Sequence, residues 1–177
     1  YEIHCSAAEH IGLRHLLLKA GADLGIKEVG FNALLSLRLE KSFGIWNAEF
    51  TQGYTAAETG MDRWIDWTKD SFVGREAAFA ERDGNGPVRR VVTLEVAADG
   101  ADASGYEPVW SGGKMVGFVT SGGYGHALGK SYAMAMVNAE QATEGTELTV
   151  HIVGVERAAK VIAPSPYDPA GKAMRAK

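Results

Sequence analysis

The chain has 177 residues, 46% of them hydrophobic and 23% charged, with a formal net charge of −4. That length can bury one sizeable core or two small ones. The mild acidity offers no basic surface to nucleic acid, and no apolar run approaches the roughly 20 residues of a membrane-spanning helix. One cysteine, Cys5, excludes an intrachain disulfide and fits a reducing, cytoplasmic setting.

Tyr1-Glu2-Ile3-His4-Cys5 opens directly in strand-like alternation, without methionine, leader or polar lead-in. The expectation is therefore a strand, with Cys5 packed in it, in a chain that is a piece of a larger polypeptide. Ser6-Ala7-Ala8-Glu9 has the form of a capping box, and the helix it predicts runs to about Ala20, with Gly21 as its stop. A second helix is expected over Phe31 to Lys41, with Leu34, Leu35, Leu37 and Leu39 on a buried face. Arg38 and Glu40 are the charges on that helix. Either can be half of a partly buried ion pair, because burying one charge alone is expensive.

Ser42 to Tyr54 is irregular and aromatic, with Phe43, Trp46, Phe50 and Tyr54, and must pack on something. Met61 to Trp67 alternates and reads as a strand, and Gly74 to Arg82 as a short helix closed by Gly84 and Gly86. After Pro87 the pattern turns to period two. Strands are expected around Val92 to Val96, Pro108 to Trp110, Lys114 to Thr120, Ser131 to Val137, Leu148 to Ile152 and Ala158 to Ala163. Ser111-Gly112-Gly113 is a hairpin turn. About six strands with turns at short intervals indicate a small antiparallel barrel or sandwich. The fold class is α+β, with residues 1–86 as an α/β piece and 87–177 as a barrel with a tail.

The most conspicuous motif is Ser121-Gly122-Gly123-Tyr124-Gly125-His126-Ala127-Leu128-Gly129-Lys130-Ser131. A phosphate-binding loop needs four residues between its first glycine and Gly-Lys-Ser, then a helix. Here Tyr124 stands where that glycine should be, and the next segment alternates like a doubly buried strand. The reading is a glycine turn between two strands, with Tyr124 or His126 facing the preceding domain. No metal site is expected, since His10 and His15 diverge on a helix and there is no cysteine pair.

Several stretches together resemble the C-terminal portion of the aminomethyltransferase family, which includes the glycine-cleavage T-protein and the folate-binding domains of dimethylglycine and sarcosine dehydrogenases. They are Tyr1-Glu2-Ile3, Ser36-Leu37-Arg38-Leu39-Glu40-Lys41, Glu58-Thr59-Gly60-Met61-Asp62-Arg63, Phe72-Val73-Gly74-Arg75-Glu76-Ala77, Val116 to Tyr124, and Pro166-Tyr167-Asp168. They occur in family order. The form Ser-Leu-Arg-Leu-Glu-Lys-Ser-Phe-Gly followed by Trp46 looks more like the dehydrogenase-fused branch.

The resemblance implies the C-terminal part of a folate-binding domain followed by a barrel. The enzyme would move a one-carbon unit from an aminomethyl or methylated amine donor to tetrahydrofolate. FAD would enter only with a fused N-terminal domain, and a lipoyl carrier protein is a further implied partner; nucleic acid and membrane are not. It assigns Glu2 to the pterin, which a carboxylate can accept through paired hydrogen bonds. Tyr1 would line the same channel or point away into packing, and Tyr167 would close the site. A ligand-contacting arginine of some T-proteins is Leu34 here, so that contact is absent or supplied by Arg38. The family's catalytic aspartate belongs to a first domain that this chain does not contain, so no catalytic residue is expected. A non-catalytic folate-binding or tRNA-modifying relative and a purely structural barrel are the rival readings.

Overall fold

The computed structural model describes residues 2–175, so Tyr1 lies outside the described residues. The chain forms two units, Tyr1–Leu34 and Leu35–Lys177.

In the first unit, Glu2 to Cys5 forms no strand and is exposed, which corrects the sequence expectation. A strand needs neighbours for its N–H and C=O groups, and no described residue pairs with this segment. Cys5 is exposed rather than packed. The capping box is half formed: Glu9 Oε2 reaches back to the Ser6 N–H at 3.4 Å and also accepts Ser6 Oγ at 2.6 Å, but the Glu9 N–H goes to the Ser6 carbonyl at 3.1 Å rather than to the hydroxyl. The turn delays the helix, so α1 runs His10–Ala20 with Glu9 at its cap. It ends at Gly21, whose N–H bonds the Leu17 carbonyl at 2.9 Å. A side chain there would meet Ile26 at 2.7 Å. α1 buries none of its residues. What ties it to the following segment is Arg14, which forks onto Glu28 at 2.5 and 2.7 Å.

Helix α2 (Phe31–Glu40) begins in the first unit and passes into the second. Of its leucines only Leu39 is fully buried, while Leu34 and Leu37 are about half exposed. The expected alternating strand at Met61 to Trp67 is instead a single tight helical turn, Asp62–Trp64. Gly60 enters it at φ 68°, and the N–H groups of Trp64 and Ile65 bond back to Met61 and Asp62. Helix α3 (Arg75–Asp83) follows Gly74, at φ 82°, and stops at Gly84 as its glycines suggest.

The remaining strands are β1 (Arg89–Val96), β2 (Pro108–Ser111), β3 (Lys114–Gly125), β4 (Lys130–Asn138), β5 (Glu147–Ile152) and β6 (Val155–Ile162). They close into an antiparallel barrel in the order β1-β4-β3-β2-β5-β6, with β6 pairing back to β1. Alternation sends Val92, Leu94, Val119, Ala135, Val150 and Val161 inward to one apolar core. Each such valine or leucine contributes about 1.5–3 kcal/mol on burial. β4 is buried on both faces: Ala133, Ala135 and Val137 join the core, and Tyr132, Met134 and Met136 are buried on the other side.

The glycine-rich segment is largely strand, not loop. β3 continues to Gly125, and only residues 126–129 make the turn to β4. Gly123 and Gly125 face α2 across the sheet; a Cβ on Gly125 would lie 2.8 Å from Glu40 Cγ and from Tyr132 Cδ2. Ser36 Oγ donates to the Tyr124 carbonyl at 2.6 Å. The glycines are there to admit a helix.

Candidate functional site

Arg38 lies in the last turn of α2 with only 10% of its side chain exposed. Its Nη1 donates to the Phe43 carbonyl at 3.2 Å, meets Glu49 Oε2 at 3.3 Å, and lies 3.9 Å from Met134 Sδ. Nε is buried without a partner. A buried unsatisfied donor costs about 1–3 kcal/mol. Burial pushes the Arg38 guanidinium below its ordinary pKa, and the charge and hydrogen bond of Glu49 oppose that shift.

Glu49 is fully buried. Oε2 also accepts the Ile45 N–H at 2.9 Å, and Oε1 accepts Thr120 Oγ1 and Ser121 Oγ, both at 2.6 Å, with the Met134 carbonyl at 3.0 Å as the longer, competing acceptor for the single Thr120 hydroxyl proton. Consecutive strand residues normally point to opposite faces. Here the register between β3 and β4 shifts between Val119 and Ser121, and this bulge brings both hydroxyls to one carboxylate oxygen. Removing one partner of a buried pair such as Arg38–Glu49 costs about 3–5 kcal/mol.

Beyond α2 the chain is clamped by the C-terminal segment. The Tyr167 N–H donates to the Glu40 carbonyl at 2.9 Å, and Lys41 Nζ donates to the carbonyls of Tyr167 and Asp168 at 3.1 and 2.8 Å. Ser165 Oγ donates to the Lys41 carbonyl at 2.7 Å, and the Ser165 N–H donates to Ser42 Oγ at 2.8 Å. Ser42, Ser165 and Asp168 all have positive φ here, a conformation that side chains adopt at some cost. Beside the clamp opens a cavity of about 440 Å³ whose walls include Lys41, Phe43, Phe50, Arg63, Met134 and Pro169. Phe43 and Met134 are also contacts of Arg38. Cations and rings together suit a ligand with an aromatic body and acidic groups.

Of the residues expected from the sequence, Arg38 and Tyr167 are thus both held at the C-terminal end of α2, with the Tyr167 ring exposed. Glu2 belongs to the first unit, exposed, with Oε1 3.2 Å from His4 Nε2. Tyr1 lies outside the described residues. Sequence reasoning missed Glu49, although it is the sole acid among the aromatic residues of Phe43 to Tyr54. His126 sits in the β3–β4 turn, edge-on to Tyr124 at 5.1 Å.

A closed six-stranded antiparallel barrel, preceded by a helix that docks on its glycine-rich strand, defines the class of domain. Comparison with known proteins is then specific. The GCVT N-terminal domain description matches residues 1–69, and the glycine cleavage T-protein C-terminal barrel domain matches residues 89–168. Mitochondrial dimethylglycine dehydrogenase from Rattus norvegicus is 34% identical over 163 residues, covering 92% of this chain and 19% of that protein. An aminomethyltransferase from Halalkalibacterium halodurans is 31% identical over 163 residues, covering 92% of this chain and 44% of that protein. The crystal structure of glycine cleavage system aminomethyltransferase T from Bartonella henselae superposes with a TM-score of 0.79 at 27% identity, over 88% of this chain and 44% of that one. The chain belongs to the aminomethyltransferase family. It spans less than half the length of these transferases and about a fifth of the dehydrogenase. Among the described residues no helix is long and apolar enough to cross a membrane.

Proposed function

We propose that this chain forms part of a tetrahydrofolate-dependent enzyme that moves a one-carbon unit from an aminomethyl or methylated amine donor to folate. The observation that carries this reading is the succession of two T-protein domain matches along one chain. Tetrahydrofolate, when bound, supplies the nitrogen that accepts the one-carbon unit. What supports such a ligand is a cavity with cationic and aromatic walls, two of which, Phe43 and Met134, also contact Arg38, whose Nε is buried without a partner.

In this reading Glu2 accepts hydrogen bonds from the pterin, with Tyr1 beside it. Arg38 takes an acceptor of the ligand, and Tyr167 closes the site over it. No residue of the chain is assigned to catalysis, so the 177 residues by themselves bind folate weakly and turn over no donor. The domain division proposed for the chain remains 1–86 and 87–177. The protein acts in the cytoplasm, on soluble partners that include a lipoyl carrier protein. The likeness to dimethylglycine dehydrogenases supports a second reading, a folate-binding C-terminal domain of a flavin-dependent dehydrogenase, in which FAD is held elsewhere.

Isothermal titration with tetrahydrofolate tests the proposal, run on the 177-residue chain and on the full-length polypeptide that carries it. Saturable binding by the full-length polypeptide and only weak binding by the chain is the expected result. Micromolar affinity in the 177-residue chain contradicts the division of labour; no binding in either contradicts the function.

A further inference from the structure

We propose that Glu49, held by Thr120 and Ser121, is a positioning residue that keeps the Nε–Nη2 edge of Arg38 unpaired for a carboxylate or carbonyl of the ligand. This rests on the reading of Arg38 as a folate contact.

An arginine and a buried glutamate can pair through two parallel hydrogen bonds, and that geometry is the stronger one. Arg38 and Glu49 do not pair that way. Their contact runs from Nη1 to Oε2 at 3.3 Å, and every described acceptor of the guanidinium is on Nη1. Nε stays dry and unpartnered, and Nη2 has no acceptor among the described residues. The reason lies at the other carboxylate oxygen. Oε1 already accepts two short hydroxyl bonds from Thr120 and Ser121, at 2.6 Å each, and is held away from the guanidinium. Oε2 is further fixed by the Ile45 N–H.

With all its strong acceptor sites engaged, Glu49 is unsuited to proton transfer and acts through Arg38. The bulge at Thr120 is what makes this possible, because a regular strand would deliver one hydroxyl to that face and not two. The consequence is an arginine whose charge is neutralised at one end while a bidentate edge is kept in reserve.

The test uses Thr120→Val combined with Ser121→Ala, with Thr120→Ser as the conservative variant, in the full-length polypeptide. Removing both hydroxyls frees Oε1 to take Nε, so tetrahydrofolate affinity falls about tenfold or more, the equivalent of one lost charge-assisted hydrogen bond. Thr120→Ser keeps wild-type affinity, and Thr120→Val alone gives a partial loss if the double variant does not fold. The ligand-free Arg38 Nε–H resonance moves downfield in the double variant. An unmoved resonance overturns the positioning role whatever folate does. If the resonance moves and Arg38→Gln leaves folate affinity unchanged, the positioning of the guanidinium stands but its purpose and the Arg38 assignment both fail. Weaker binding in Arg38→Gln with unchanged binding in the hydroxyl variants overturns the inference and leaves the assignment intact.

Discussion

Glu40 Oε1 accepts the backbone N–H of Leu128 at 2.8 Å, joining the last residue of α2 to the turn between β3 and β4. The carboxylate is 1% exposed, and it reaches the turn because Gly125 has no side chain in the way. Replacing Glu40 with alanine leaves that N–H unsatisfied and is expected to cost about 1–3 kcal/mol. Urea denaturation of the two proteins measures it. Unchanged stability would mean that water replaces the carboxylate at no cost.

Two glycines should respond to alanine with opposite signs. A Cβ on Gly117 would lie 2.1 Å from the Met136 carbonyl oxygen, where only backbone could yield, so Gly117→Ala is expected to destabilise by about 1–3 kcal/mol or more. Gly12, inside α1, has nothing within 4 Å of its would-be Cβ. Gly12→Ala should stabilise by about 0.4–1 kcal/mol through helix propensity and a less flexible unfolded chain. Melting curves of both variants give the comparison.

The Arg14–Glu28 pair sets a pH dependence in the first unit. The Arg14 hydrogen bond holds the Glu28 carboxyl below its ordinary value of 4.5, and Glu28 in turn raises Arg14. A depressed carboxylate contributes stability above its unfolded pKa, and that contribution is lost as pH falls through the folded one. The pair is exposed and salt will screen it. Carboxyl-carbon NMR should place the Glu28 midpoint below 4.5 and return it upward in Arg14→Gln. Equal midpoints in the two proteins would show that the bridge is not populated in solution.

For the pterin assignment, Glu2→Gln in the full-length polypeptide replaces an anionic acceptor pair with one neutral oxygen. Tetrahydrofolate affinity should fall by about 1.5–3 kcal/mol. Titration calorimetry on the variant decides, and unaltered binding removes Glu2 from the site.

Strands were legible where both faces had a partner to declare. Alternation in β1 and β5, and the double burial of β4, reflect a closed barrel in which side chains have few other places to go. Helix ends at Gly21 and Gly84 were legible for a local reason, the chain reversal that glycine permits. Met61 to Trp67 misled because alternation says nothing of whether a neighbouring strand exists; hydrogen bonds closed a turn there instead. The candidate site was legible only in part. Arg38 stood out as a charge on a leucine-rich helix, but its environment depends on a bulge about eighty residues later, and bulges leave no period in a sequence. Lys41 and Tyr167 meet across the whole barrel sequence that separates them, a contact with no local signature.

The central claim is that Arg38 belongs to a folate site, and calorimetric titration of the full-length polypeptide and its Arg38→Gln variant with tetrahydrofolate tests it most directly. The account predicts saturable one-to-one binding that weakens at least about tenfold in the variant, as loss of a charged donor requires. Equal affinities, or no binding by the unaltered polypeptide, would contradict it.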